Sequence, residues 1–137
     1  MGYQRSAVSY QQERNEMRKQ KFRQLVVWQR AMEFVADVYR ATADFPRHEM
    51  YGLTSQLRRA AVSIAMNIAE GSGAGSDPEF GRFLLIASRS GYEAMCGIEV
   101  AVRLQYLPKE SGDKLLDCAE EVCAMLHTLV KKLKADS

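Results

Sequence analysis

Apolar residues recur every third or fourth position through four long stretches of this chain, and no stretch alternates with the period of two that a strand requires. The first stretch covers about residues 25–44. Its apolar positions Leu25, Trp28, Met32, Val35, Tyr39 and Thr42 are spaced 3, 4, 3, 4 and 3 apart, which lines one face of a helix. Phe45-Pro46 ends it, because the residue before a proline is pushed out of the α region. The second stretch opens between Glu49 and Thr54 and runs to Glu70, with Leu53, Leu57, Ala60, Ile64 and Ile68 as its stripe. Gly71 is the expected left-handed stop.

Helix three is predicted from Pro78 to Tyr106, about 43 Å at 1.5 Å per residue. Two readings of its start stand side by side. Ser76 caps with Glu79 as the third residue of a capping box, or Asp77 caps and Pro78 takes the first helical position. Its stripe is Phe80, Leu84, Ala87, Gly91, Ala94, Ile98, Ala101 and Gln105. Small residues in the middle allow a neighbouring backbone to come close. Phe83, Leu85, Ile86, Met95, Val100 and Val102 lie off that stripe, so the helix is either central or covered by a second molecule. Leu107-Pro108 breaks it. Helix four, about Lys109 to Leu133, carries Leu115, Ala119, Val122, Leu126, Leu129 and Leu133. Lys131, Lys132 and Lys134 close it, where the helix dipole favours cations. Short connections then predict an all-α, antiparallel up-down-up-down four-helix bundle over residues 25–137.

Size and composition agree with one globular domain. The 137 residues are 47% hydrophobic and 26% charged, enough to bury a core without staples. No apolar run approaches the roughly 18 residues that cross a bilayer. Basic residues near the N-terminus have no apolar segment behind them, so no secretory signal is read. Cys96, Cys118 and Cys123 form no C-x-x-C pair, a pattern that suits reduced core thiols in the cytoplasm. Residues 1–24 hold six basic residues against two acidic ones, net +4, which leaves 13 basic and 15 acidic residues in the body, net −2. This basic polar arm is either loose or an extension of helix one, and Met17 within it is a second candidate start of translation.

Three segments carry a family pattern: residues 25–32 (LVVWQRAM), Phe45-Pro46, and residues 51–71 (YGLTSQLRRAAVSIAMNIAEG). Over about residues 25–134 the chain resembles the four-helix-bundle proteins encoded in intervening sequences of large-subunit ribosomal RNA genes. The accessory variability proteins of diversity-generating retroelements resemble the same pattern. The resemblance implies a bacterial bundle that assembles as a homopentamer and has no assigned enzymatic activity. Retroelement members are basic and bind nucleic acid and a reverse transcriptase; the slightly acidic body of this chain departs from them.

Candidate chemistry is sparse. Asn67 and Glu70, with Arg58 and Arg59 two to three turns upstream, read as a polar site for an anion or partner. The structural alternative has Glu70 in a partly buried ion pair with an arginine and Asn67 bonding a loop backbone. The glycines of residues 71–75 lack the strand, spacing and lysine of a phosphate loop. Arg82, Arg89 and Arg103 share one side of helix three, but Glu93 interrupts them and Glu99 precedes Arg103 by four, as in a helical ion pair. Arg14, Arg18, Lys19, Lys21 and Arg23 cluster in the arm as candidate nucleic-acid contacts, with Arg58 and Arg59 beside them. Trp28, Phe83 and Tyr92 are candidate interface anchors.

No metal, cofactor or catalytic set is read. His48 and His127 are far apart with no thiol or carboxylate at ligand spacing, His48 is expected to be exposed, and His127 is a boundary residue beside the helix-four stripe. No serine has an evident base. Two function classes follow: a non-enzymatic homo-oligomeric adaptor or assembly protein without membrane contact, whose partner is itself or another protein, and an RNA- or DNA-binding accessory module.

Overall fold

The computed structural model describes residues 6–9 and 21–136. Their regular structure is entirely helical, with no strand among them. Four long helices account for most of the chain: α1 (Val26–Thr42), α2 (Leu53–Ser72), α3 (Asp77–Arg103) and α4 (Lys109–Asp136). Short 3-10 turns at Phe22–Gln24 and Arg47–Glu49 precede α1 and α2, and residues 7–9 are also helical. No helix among the described residues is long and apolar enough to cross a membrane.

The helix ends follow local chemistry. Leu25 is extended (φ −70°, ψ 123°), so α1 starts only at Val26. Glu49 supplies the start of α2, its Oε1 accepting the Leu53 amide at 3.3 Å. At α3 the Ser76 hydroxyl accepts the Glu79 amide at 3.3 Å, with Pro78 in the first turn. Of the two predicted caps the serine is therefore the one used, and Glu79 turns to Arg82 instead of back to the cap. The far end of α3 differs from expectation. The helix stops at Arg103, and Gln105 sits at φ 64°. The Tyr106 amide then reaches the Ala101 carbonyl at 2.9 Å and the Gln105 amide reaches Val102 at 3.0 Å. This pair of bonds is a Schellman closure, and it removes Gln105 from the buried stripe.

The core stripes on α2, α3 and α4 coincide with the apolar positions read from the sequence. Leu57, Ile64, Ile68, Leu84, Ile98 and Leu126 are all fully enclosed, each contributing about 1.5–3 kcal/mol of transfer free energy. On α1 the predicted stripe is corrected by one position. The buried face is Val27, Ala31, Phe34, Val38 and Thr42, whereas Met32 and Tyr39 remain 42% and 43% exposed. Both rows satisfy the helical period, and the inner one places Phe34 fully inside the core.

Glycines fix the closest approaches. A Cβ at Gly91 would sit 2.5 Å from Cys123 Sγ, and one at Gly97 would sit 2.7 Å from Leu57 Cδ1. Gly71 is not the left-handed stop expected of it: it lies inside α2, buried, and a Cβ there would come within 2.7 Å of Phe83 Cβ. Among the described residues no glycine has positive φ. Among the described residues the helix backbones approach one another in cyclic order, α1 to α2 to α3 to α4 and back to α1, and not across either diagonal.

Candidate functional site

The residues singled out from the sequence do not converge on one site. Arg14, Arg18 and Lys19 lie outside the described residues. Lys21 and Arg23 are exposed, with the Arg23 guanidinium 5.7 Å from the Phe22 ring centre. Arg58 is committed to the seam between α1 and α2. Its Nε donates to Thr42 Oγ1 at 2.8 Å and its guanidinium lies 4.6 Å over the Tyr39 ring. Arg59, one position on, points to solvent.

Asn67 and Glu70 also separate. The Asn67 amide donates to the Ser63 carbonyl at 2.8 Å and to Ser63 Oγ at 3.1 Å. Ser63 Oγ in turn lies 2.9 Å from Ser90 Oγ on α3. Asn67 thus bonds helix backbone, not a loop, and extends a polar cross-link between α2 and α3. Glu70 is exposed and, among the described residues, makes no ion pair with either arginine, so the expected buried pair is absent. Together with Tyr39, Arg59 and Met66 these side chains border a shallow groove of about 350 Å³ on the outside of α1 and α2.

On α3 the expected Glu99–Arg103 pair does not form among the described residues; Arg82 instead pairs with Glu79 at 2.6 Å. That contact holds the Glu79 carboxyl below its usual range. Of the three anchors, Trp28 is half-buried under the edge of Phe22, ring centres 4.9 Å apart. Phe83 is partly buried, with its Cβ against Gly71 and its ring centre 4.9 Å from the Arg82 guanidinium. Only Tyr92, 56% exposed, looks outward.

One constellation escaped the sequence reading. Cys123 precedes His127 by four residues on α4, a spacing that does place a thiol and an imidazole on one helix face. His127 Nε2 lies 3.2 Å from Ser88 Oγ and 3.4 Å from Tyr92 OH, while Cys123 Sγ points at the Ser88 carbonyl at 4.0 Å. The signal was the i, i+4 pair; Ser88 and Tyr92 are 39 and 35 residues away and gave none. Chemically the cluster is a tether between α3 and α4. Ser88 is buried, and among the described residues no carboxylate orients His127, as a nucleophilic triad needs. Burial raises the Cys118 and Cys123 thiols above their usual range, which keeps them protonated and unreactive. Cys96, by contrast, is exposed, so only two of the three cysteines belong to the core. Among the described residues no three metal-binding side chains gather.

A second polar junction ties the connections. The Tyr106 hydroxyl donates to Glu49 Oε2 at 2.9 Å, and exposed His48 approaches the same hydroxyl at 3.4 Å. Between α1 and α4, Arg30 pairs with Glu33 on its own helix and reaches Glu121 across the seam at 3.0 Å. Above that ion pair runs an apolar groove of about 440 Å³, walled by Leu25, Val26, Met125 and Leu129 and ending at Lys132.

Comparison with known proteins supports the fold and the family. A solved structure of a protein of unknown function from the S23 ribosomal protein family of Bacteroides thetaiotaomicron is similar, with a TM-score of 0.70 and 24% identity over 77% of this chain and 99% of that one. No curated protein matches. The model of the 23S rRNA-intervening sequence protein family matches residues 23–128, and the chain belongs to that family.

Proposed function

We propose that the protein is a non-enzymatic assembly protein of the bacterial cytoplasm, an antiparallel up-down-up-down four-helix bundle that works as a homopentamer. The outer face of α3 carries this reading. Leu85, Tyr92 and Val100 lie exposed along it, on a helix whose other sides are already packed against α2 and α4. Large apolar side chains left uncovered among the charged residues of that side, Arg82, Arg89, Glu93 and Arg103, suit a further protein surface of mixed character. The cyclic order of helix contacts and the short connection of residues 104–108 support the bundle topology. Unpaired thiols fit a reducing compartment, and the ring size follows from the family resemblance. Light scattering at micromolar concentration should give a mass near five times the 15.5 kDa chain. A monomer would overturn the proposal.

A second reading, an RNA- or DNA-binding accessory module like the retroelement accessory variability proteins, is favoured by one observation. Among the described residues, Lys21, Arg23 and Arg59 are exposed cations without an acidic partner. A ring would present several copies of each, and multivalency raises weak contacts to useful affinity. Binding to an RNA or DNA oligonucleotide should then fall steeply with salt, by about one unit of log–log slope per phosphate contact. Absence of binding at low salt removes this reading and leaves the first.

A further inference from the structure

The α1–α4 groove and the outer face of α3 carry opposite charges at matching spacing, with apolar residues between them. The groove is apolar along its length and is bounded at its ends by Glu121 and Lys132, which are about 16 Å apart along α4 at 1.5 Å per residue. Val26 on its wall is 65% exposed. On α3, Glu93 and Arg103 are exposed with about 15 Å between them, and Cys96 and the 40% exposed Val100 lie between. Among the described residues, Glu93, Arg103 and Lys132 have no ion-pair partner in their own chain. Glu121 has Arg30, but Glu33 shares that arginine, so this end of the groove stays net negative.

We infer that the outer face of α3 of one copy seats in the α1–α4 groove of the next, antiparallel to α4, with Glu93 opposite Lys132 and Arg103 opposite Glu121. The inference rests on the homo-oligomer proposed above and names its two faces. Antiparallel seating puts Val100 over Met125 and Cys96 beside Thr128, and both charges find opposite signs. In a closed ring whose axis follows the helices, every α3 runs one way and every α4 the other, which is the same sense. The two faces belong to different sides of the molecule, so the contact is heterologous: it leaves one free face of each kind at every step and closes only as a ring.

The test uses the full chain and its own exposed Cys96. Thr128→Cys places a second thiol opposite Cys96 of the neighbouring copy, while Cys118 and Cys123 are buried. Mild oxidation should give a ladder of disulfide-linked dimers, trimers and higher species. Glu70→Cys, on the outside of α2, should give none. As a second variant on the surface, Lys132→Glu should weaken association about tenfold, and adding Glu93→Lys should restore most of it. If wild-type chains associate in solution but neither ladder nor charge-swap rescue appears, this pair of faces is wrong and the oligomer stands. Efficient Cys96–Cys96 dimers in the wild type would replace it with an α3–α3 contact. A monomeric wild type would remove both proposals.

Discussion

The seams on either side of α4 are built on different physics. Against α3 it packs by absence: Gly91 admits Cys123, and Gly112 near the start of α4 admits Val102. Against α1 it is held by a partly exposed ion pair from Arg30 to Glu121, with an open groove beside it. The close seam continues through α3 to α2, where Gly97 admits Leu57 and Gly71 admits Phe83. Packing of that kind is decided at the level of single methyl groups. A charged seam tolerates change, responds to salt and pH, and leaves surface free for another molecule. The stable side of the domain is thus α2–α3–α4, and its adaptable side is α1–α4.

Breaking the close side should be most costly. Ile64 is fully enclosed on α2, and Ile64→Lys buries an ammonium with no partner. A loss above about 4 kcal/mol is expected, a large share of a small domain's stability. Urea unfolding followed by circular dichroism should show little or no folded baseline; a wild-type midpoint would mean that the core is misplaced. Gly91→Ala is subtler. Its new methyl would meet Cys123 Sγ at 2.5 Å, an overpacking that costs about 1–3 kcal/mol. Adding Cys123→Ala should recover most of that loss, although alone it leaves a small cavity. Additive destabilisation in the double mutant would show that the two side chains do not compete for space.

This contrast explains which parts were legible in the sequence. Local rules found what local chemistry controls: the four helical stretches, the stops near Pro46 and Pro108, the Ser76 cap, and the stripes of α2, α3 and α4. They failed where two choices were locally equal. On α1, Leu25-Trp28-Met32-Val35-Tyr39 and Val27-Ala31-Phe34-Val38 share one period, so spacing alone does not tell the outer row from the inner one. Only neighbouring helices decide between them. Gly71 looked like a helix end because its partner Phe83 is twelve residues away across a turn. The candidate site fared less well. Arg58 is claimed by Thr42 and Tyr39, and Asn67 by Ser63, contacts that no spacing rule reports. The Glu49–Tyr106 junction joins residues 57 apart in sequence and left no trace in either segment.

On the adaptable side, Arg30→Met should cost only about 0.2–1 kcal/mol, because the pair is partly exposed and water competes for it. The hydrocarbon stem of methionine keeps much of the packing, so the change isolates the charge. Raising salt should shrink the difference between wild type and variant in urea midpoints. A loss as large as that of Gly91→Ala would mean that the α1–α4 seam is as tightly determined as the other.

The smallest effect is expected at Glu49, and pH reveals it. The Tyr106 hydroxyl and, after it, the Leu53 amide hold this carboxyl below its usual range, because both donors favour the ionised form. A carboxyl whose folded value is depressed adds stability above its unfolded value, and loses that contribution as pH falls through the folded one. Wild type should therefore melt above Glu49→Gln at neutral pH. The gap should narrow as the solution drops below the ordinary carboxylate range and close once Glu49 is protonated in both states. Glutamine keeps the shape of the side chain but only one of the two acceptor oxygens that Leu53 and Tyr106 use, so the comparison reports the charge with its hydrogen bonds and not the loss of the side chain. A gap that stays constant from neutral to acid pH would place the stabilisation in packing, and would move this junction from the charged class of contacts to the close-packed one.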